Sequence, residues 1–171
     1  MDLRDIQLGF ACNGDAQALA LMSRDLIEAG LGWSYRKERM LSFIMDADAV
    51  CIVARYARQR IGFAVMSFGE QRAHLALLAV YPAYQRRGIG QRLLEWLLDS
   101  CKVAGVSTVD VELRADNRAA YRLYRKLAFE ETSRIAGYYS GRETAIRMLR
   151  VLRTPGMLAE PWRPPTLDKR S

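Results

Sequence analysis

Histidine is almost missing from this 171-residue chain, which has one, His74. A multi-histidine metal site is thereby excluded, as is the H-E-x-x-H pattern of zinc peptidases. Cysteine is scarce as well. Cys12, Cys51 and Cys101 are odd in number, far apart and form no C-x-x-C pair, which fits neither a disulfide framework nor a zinc ribbon. No apolar run approaches the ~20 residues that cross a bilayer. Residues 1–5 lack the basic and apolar regions of a secretory signal. Together these absences predict a reduced, cytoplasmic protein with no membrane partner and no metal. Proline is nearly confined to the chain's end, four of the five standing at 155, 161, 164 and 165.

Positive charge is what the sequence has in excess. Lys and Arg number 26 against 19 Asp and Glu, a formal net charge of +7, and only four of the 26 are Lys. From Arg114 to Arg153 there are ten basic and four acidic residues. Such a field attracts phosphorylated cofactors, nucleic acid or acidic proteins. An Arg-rich solvated surface is the plain alternative, and composition does not separate the two. No nucleic-acid-binding motif is present, so nucleic acid is not the expected partner. The length suits one domain that buries roughly two-thirds of its unfolded surface.

Periodicity orders the chain. A short strand from Ile6 to Cys12 leads to Asn13-Gly14-Asp15 as a helix start, with Ala16, Leu19, Ala20, Met22 and Leu26 at helical spacing. A second helix is expected from Ser34 to Ile44. Three apolar runs, Ala49–Ala57, Ile61–Phe68 and His74–Val80, then read as an antiparallel meander. A helix follows Gly88-Ile89-Gly90, with Leu93, Leu94, Leu97, Leu98 and Cys101 on its apolar face. Val109, Val111 and Leu113 alternate with Asp110, Glu112 and Arg114 along a strand. Asn117 is placed to cap a helix over Arg118–Leu127. Strands from Thr132 to Tyr138 and from Glu143 to Leu152 complete the order. These elements predict a single α/β domain over 1–152, with a mixed sheet of six to seven strands and about four helices. A Pro-rich tail at 153–171 is expected to be irregular, docked if at all through Met157, Leu158 and Trp162.

The informative stretch is Leu78-Ala79-Val80-Tyr81-Pro82-Ala83-Tyr84-Gln85-Arg86-Arg87-Gly88-Ile89-Gly90-Gln91. A strand ends, and a loop with two glycines opens a helix. Free N–H groups and a partial positive charge at a helix start bind phosphate, and Arg86 and Arg87 can add charge-assisted bonds. The loop is not a P-loop, because no G-K-[ST] follows. It is not a dinucleotide fingerprint either, because Leu93 stands where a third glycine would be.

Gln85-Arg86-Arg87-Gly88-Ile89-Gly90 resembles the Q/R-x-x-G-x-G/A pyrophosphate loop of the GNAT family of N-acetyltransferases. Asn117-Arg118-Ala119-Ala120-Tyr121-Arg122-Leu123-Tyr124-Arg125-Lys126-Leu127-Ala128-Phe129 resembles the same family's N-x-x-A-x-x-L-Y-x-x-x-G-F helix. The likeness is best over 74–152. The resemblance implies a GNAT-like fold and acetyl-CoA as co-substrate. It implies coenzyme contacts from Leu78, Ala79, Val80, Arg86, Arg87, Gly88, Ile89, Gly90, Gln91, Asn117 and Tyr124. Val111 to Asn117 is most similar to the ribosomal-protein N-terminal alanine acetyltransferases, which implies Glu112 as base and Tyr124 as acid. It also implies Tyr138-Tyr139 near an acceptor peptide. The acceptor amine would be a protein N-terminus or a small molecule, and the enzyme a monomer or homodimer. Two residues depart from the pattern: Ala128 replaces the Gly before Phe, and Thr144 replaces the Asp of G-x-E-D-A.

Taken without the resemblance, each residue has a plainer reading. Glu112 alternates with apolar neighbours as a solvated strand residue would. Tyr124 reads as an aromatic packed at helical spacing against Leu123 or Leu127. Arg118, Arg122 and Arg125 or Lys126 form a basic stripe that suits solvent as well as a coenzyme 3′-phosphate or an acidic acceptor. His74 and the cysteines read as structural. A coenzyme-A-binding module without catalysis and a charge-driven nucleic-acid binder are the competing functions.

Overall fold

A computed structural model describes residues 3–153, so most of the predicted tail, with Met157, Leu158 and Trp162, lies outside the described residues. Its strands are β1 (Gln7–Phe10), β2 (Ala49–Tyr56), β3 (Gln59–Phe68), β4 (Arg72–Val80), β5 (Thr108–Arg114), β6 (Glu130–Tyr139) and β7 (Glu143–Val151). Four helices join them: α1 (Ala16–Leu26), α2 (Lys37–Met45), α3 (Ile89–Val103) and α4 (Arg118–Lys126). The seven strands form one sheet in the order β1-β2-β3-β4-β5-β7-β6. Only β4 and β5 run parallel, because α3 carries the chain back over the sheet between them. Among the described residues, no helix is long and apolar enough to cross a membrane.

The sheet separates two cores. Leu93, Leu94, Leu97 and Leu98 of α3 pack with Tyr124, Leu127 and Phe129 against Val109, Val111 and Leu113 on one face. Leu19, Ala20 and Met22 of α1 pack with Met40 of α2 against Val53, Phe63 and Val65 on the other. Strand β4 serves both. Ala73 and Leu75 belong to the first core, Leu77 and Ala79 to the second. A bulge causes the switch: Met66 faces Leu75 and Val65 faces Leu77, which leaves Ala76 as an extra residue that reverses the alternation. The sequence shows no sign of it, because Leu-Ala-Leu-Leu-Ala is apolar throughout.

Predicted and observed boundaries differ most at α2, which starts at Lys37 instead of Ser34. The buried carboxylate of Glu28 accepts the Ser34 amide at 2.6 Å and the Tyr35 amide at 3.3 Å. Those amides are thus held in extended chain, and Arg36 follows at ψ 173°. The β2–β3 turn is also unannounced. Ala57 and Arg58 both have positive φ, 46° and 68°, the tight hairpin geometry that usually selects Asn-Gly.

One buried acid fastens the first helix to the sheet. Asp15 is 1% exposed; its carboxylate accepts the Cys12 amide at 2.8 Å and meets Arg55 and Arg60 at 2.5 Å each. Burial opposes its ionisation, but the Cys12 amide and the two guanidinium groups together hold the carboxyl below its usual 3.8. A depressed carboxyl stabilises the fold above the unfolded-state pKa, and that contribution fades as pH falls through the folded one. Asp15→Asn is expected to cost about 2 kcal/mol at pH 7, since it strands two cations. The gap from wild type should close below pH 3.8, as measured by urea unfolding across pH.

Candidate active site

Strands β4 and β5 pair only from Arg72 to Leu75 and from Thr108 to Val111. Beyond that point β4 stays with β3, and β5 stays with β7. The carboxyl ends of two parallel strands therefore part, and the polar groups along the gap are left to a ligand. Tyr81 donates its amide to Ile61 of β3 at 2.9 Å. Alternate residues of an antiparallel ladder point their amides to opposite sides. Ala79 is thus turned toward β3, with a buried side chain, while Leu78 and Val80 direct their N–H groups into the gap. The Val80 carbonyl is engaged by Gln85 Nε2 at 2.8 Å, which folds the loop back beneath the strand end.

That loop passes through Pro82–Tyr84 and then through Arg86, at φ 60°, to Gly88, at φ 79°. Gly88 is the N-cap of α3 in left-handed geometry, and no side chain caps the helix. The first-turn amides therefore have no partner from a capping residue. Arg86 and Arg87 are exposed beside them, and Gly90 faces Leu123 and Val80. Ile89 has its side chain in the core. Gln91 is committed within the protein: it donates to Glu95 at 2.7 Å and accepts from Lys126 Nζ at 2.8 Å. A long helix start without a cap, next to two arginines, fits a pyrophosphate group.

Helix α4 forms the opposite flank. Asn117 Oδ1 accepts the Ala120 amide at 3.0 Å, as its cap position predicts. At the far end the Phe129 amide reaches the Tyr124 carbonyl at 2.9 Å, and the Ala128 amide reaches that of Arg125 at 3.1 Å. This is a Schellman ending. Its apolar contact is between the rings of Phe129 and Tyr124, 5.6 Å apart. The helix terminus therefore fixes the phenol. Ala128 occupies the left-handed position at φ 60°, so the departure from Gly is met by strain and not by another exit. Tyr124 is 5% exposed, and burial, with the neighbouring Tyr139 adding, pushes its phenol above the ordinary range.

Glu112 lies on the opposite face of the sheet from α4, since Val111 and Leu113 occupy the α3–α4 side. Its Oε1 accepts from Arg147 Nε at 2.6 Å across the β5–β7 ladder. Tyr138 is raised first by a hydrogen bond to Glu112, and Arg147 stacks 5.9 Å from its ring. Tyr139, at 5.0 Å from Tyr138 and edge-on to it, is pushed up to about 12 by burial first and then by the Glu112 charge. Tyr139 also raises the phenol of Tyr124 electrostatically, while its own phenol is raised by Glu112. Glu112 and Tyr124 thus lie on opposite faces of the sheet.

Several partners were not visible in the sequence. Arg147 is an ordinary strand arginine until the β5–β7 register places it beside Glu112, and the partners of Arg114 come from Ile27, Ala29 and Glu143. Tyr35 reaches Tyr139 only through the α1–α2 segment. Gly62 is hidden too: a Cβ there would lie 3.0 Å from the Ala79 carbonyl and 3.1 Å from Val80 Cγ2. His74 Nδ1 lies 2.6 Å from Asp110 Oδ2, a cross-strand pair that matches the structural reading. Burial raises the thiols of Cys51 and Cys101 to about 12 and about 11, which makes them poor nucleophiles. Of the basic stripe, Arg125 donates to the Phe129 carbonyl, while Arg118 and Arg122 line a 390 Å³ surface pocket with Tyr121 and Arg134.

Comparison with known proteins identifies a family. Residues 20–129 match the model of the acetyltransferase (GNAT) family. Over 89 residues the chain is 44% identical to the ribosomal protein bS18-alanine N-acetyltransferase of Escherichia coli (strain K12), covering 50% of this chain and 60% of that protein. With the enzyme of the same name from Salmonella typhimurium it shares 43% over 114 residues, 65% of this chain and 71% of the relative. The chain thus spans about 60% of the length of the first of these curated relatives. The crystal structure of the ribosomal-protein-S18-alanine N-acetyltransferase from Escherichia coli superimposes with a TM-score of 0.77 at 29% identity, covering 89% of this chain and 97% of that one. Ard1 from Thermoplasma volcanium gives 0.75 at 25% identity, over 86% and 97%.

Two substitutions test the placement of the flanks. Ala128→Gly is expected to raise stability by about 0.5–1 kcal/mol, because relief of the left-handed strain exceeds the entropy of glycine. Thermal unfolding would show a gain of about 2–4 °C per kcal/mol for a domain of this size. Gly62→Ala should lower the melting temperature and weaken coenzyme A binding in calorimetry, because its methyl presses on the end of β4.

Proposed function

The chain belongs to the acetyltransferase (GNAT) family, and we propose that it transfers an acetyl group from acetyl-CoA to a primary amine, the α-amine of a protein N-terminus such as that of a ribosomal protein. The observation that carries this reading is the parted end of β4 and β5, where the Leu78 and Val80 amides turn away from β3 and β5 continues past its last β4 partner to Glu112. The relatives named as alanine N-acetyltransferases support the choice of acceptor. A ribosomal acceptor places the protein in the cytoplasm.

The residues divide the work by their chemistry. Bound acetyl-CoA supplies a thioester acetyl group. The first-turn amides of α3, with Arg86 and Arg87, bind the pyrophosphate, and Asn117 contacts the pantetheine arm. Val80 N–H is aimed to donate to the acyl carbonyl, stabilising negative charge as it develops. Only a neutral amine attacks, and removing its proton at pH 7 costs about 1.4 kcal/mol for an α-amine but about 4.6 for lysine. Glu112, through a water, takes that proton. Tyr124, a phenol that is protonated at neutral pH, gives its proton to the departing sulfur. Tyr138 and Tyr139 form the wall beside Glu112 against which the acceptor chain lies.

Glu112→Gln and Tyr124→Phe are each expected to lower kcat/KM about 100-fold. The KM for acetyl-CoA should stay within about twofold, as read by thiol release with an alanine-terminated peptide. Wild-type rates in both variants would remove the base and acid assignments. Coenzyme binding without thiol release, on panels of peptides, polyamines and small amines, would identify a binding module instead.

A further inference from the structure

We propose that Arg114 is a positioning residue, tying the 27–36 segment to the strand that bears Glu112 and so setting the acceptor side of the site; this rests on the function proposed above. Arg114 follows Glu112 by two residues, on the same face of β5, with its side chain 20% exposed. Nη2 donates to the carbonyls of Ile27 at 2.9 Å and Ala29 at 2.8 Å, 87 and 85 residues earlier in the chain. Nη1 lies 3.4 Å from Glu143 Oε2, and the guanidinium carbon sits 5.9 Å from the Tyr139 ring centre. One side chain thus meets the end of α1, the start of β7 and the tyrosine that lies in the field of Glu112.

The segment it holds behaves as a unit. Glu28 gathers the Ser23 hydroxyl at 3.0 Å and the Ser34 and Tyr35 amides. Trp33 Nε1 donates to the Tyr35 carbonyl at 3.2 Å, and Arg24 and Arg36 stack on its ring at 5.5 and 5.3 Å. Tyr35 in turn stacks on Phe43. With internal bonds of this kind, the segment shifts as a body if its tie to β5 is cut, and Tyr35 shifts with it relative to Tyr139. Glu143 Oε2 makes the arginine hard to replace. It is buried without a hydrogen-bond partner among the described residues, so Arg114 supplies its compensating charge. A lysine ammonium is a single point, whereas the planar fork serves two carbonyls and a carboxylate together.

The experiment compares Arg114→Lys and Arg114→Gln with wild type by steady-state kinetics and by hydrogen exchange over residues 28–36. The acceptor KM should rise about tenfold while kcat stays within about threefold and the acetyl-CoA KM is unchanged, with the lysine variant milder. The Ser34 and Tyr35 amides should exchange about tenfold faster, as a loosened segment requires. Glu28→Gln, which loosens the same segment from its other side and leaves Arg114 in place, should raise the acceptor KM likewise. It keeps the test open if Arg114→Gln does not fold. Exchange at wild-type rates, or a matching rise in both KM values, would overturn the proposal. If wild type acetylates no amine, the proposed function fails while hydrogen exchange alone still decides whether Arg114 makes the tie.

Discussion

The arrangement depends on four pairs of backbone partners. Between Arg72 and Leu75 the fourth strand lies parallel to the fifth, and after that each strand keeps only its antiparallel neighbour. Backbone polar groups require partners, so a sheet that opens along a row of amides leaves groups for a substrate to engage. The bulge at Ala76 matters for the same reason. It turns Leu77 and Ala79 into the α1–α2 core and leaves Leu78 and Val80 facing the other way at the gap. Every functional group described above is placed relative to that opening.

The two sides of the opening are built by different means. On the coenzyme side, geometry is local: a left-handed glycine, a helix start without a cap, and two arginines within three residues. On the acceptor side it is long-range. Glu112 meets Arg147 across a ladder, Tyr139 comes from the next hairpin, and Tyr35 arrives from a segment folded around Glu28. Tyr124 is also placed locally, because a Schellman ending with an aromatic contact fixes it from within its own helix.

That division explains what the sequence disclosed. The glycine loop before α3 and the α4 motif stand out because their residues are contiguous, and the element order followed from periodicity. The single-domain α/β fold and the meander of β2 to β4 match the structure. The start of α2 was misplaced because a buried carboxylate, not a propensity, holds residues 34–36 extended. The bulge was invisible in an apolar run. Arg114, Arg147 and Gly62 were passed over because their meaning depends on which strands become neighbours. The basic excess of residues 114–153 divides in the same way. Arg114 and Arg147 pair with Glu143 and Glu112, while Arg118 and Arg122 line a surface pocket.

The most direct test of the account uses one peptide with a free N-terminal alanine and an internal lysine, incubated with acetyl-CoA and analysed by fragment mass spectrometry. The account predicts a single acetyl group on the alanine α-amine, with none on the same peptide once that amine is blocked. Acetylation of the lysine in preference to the α-amine, or release of coenzyme A with neither amine modified, would contradict it.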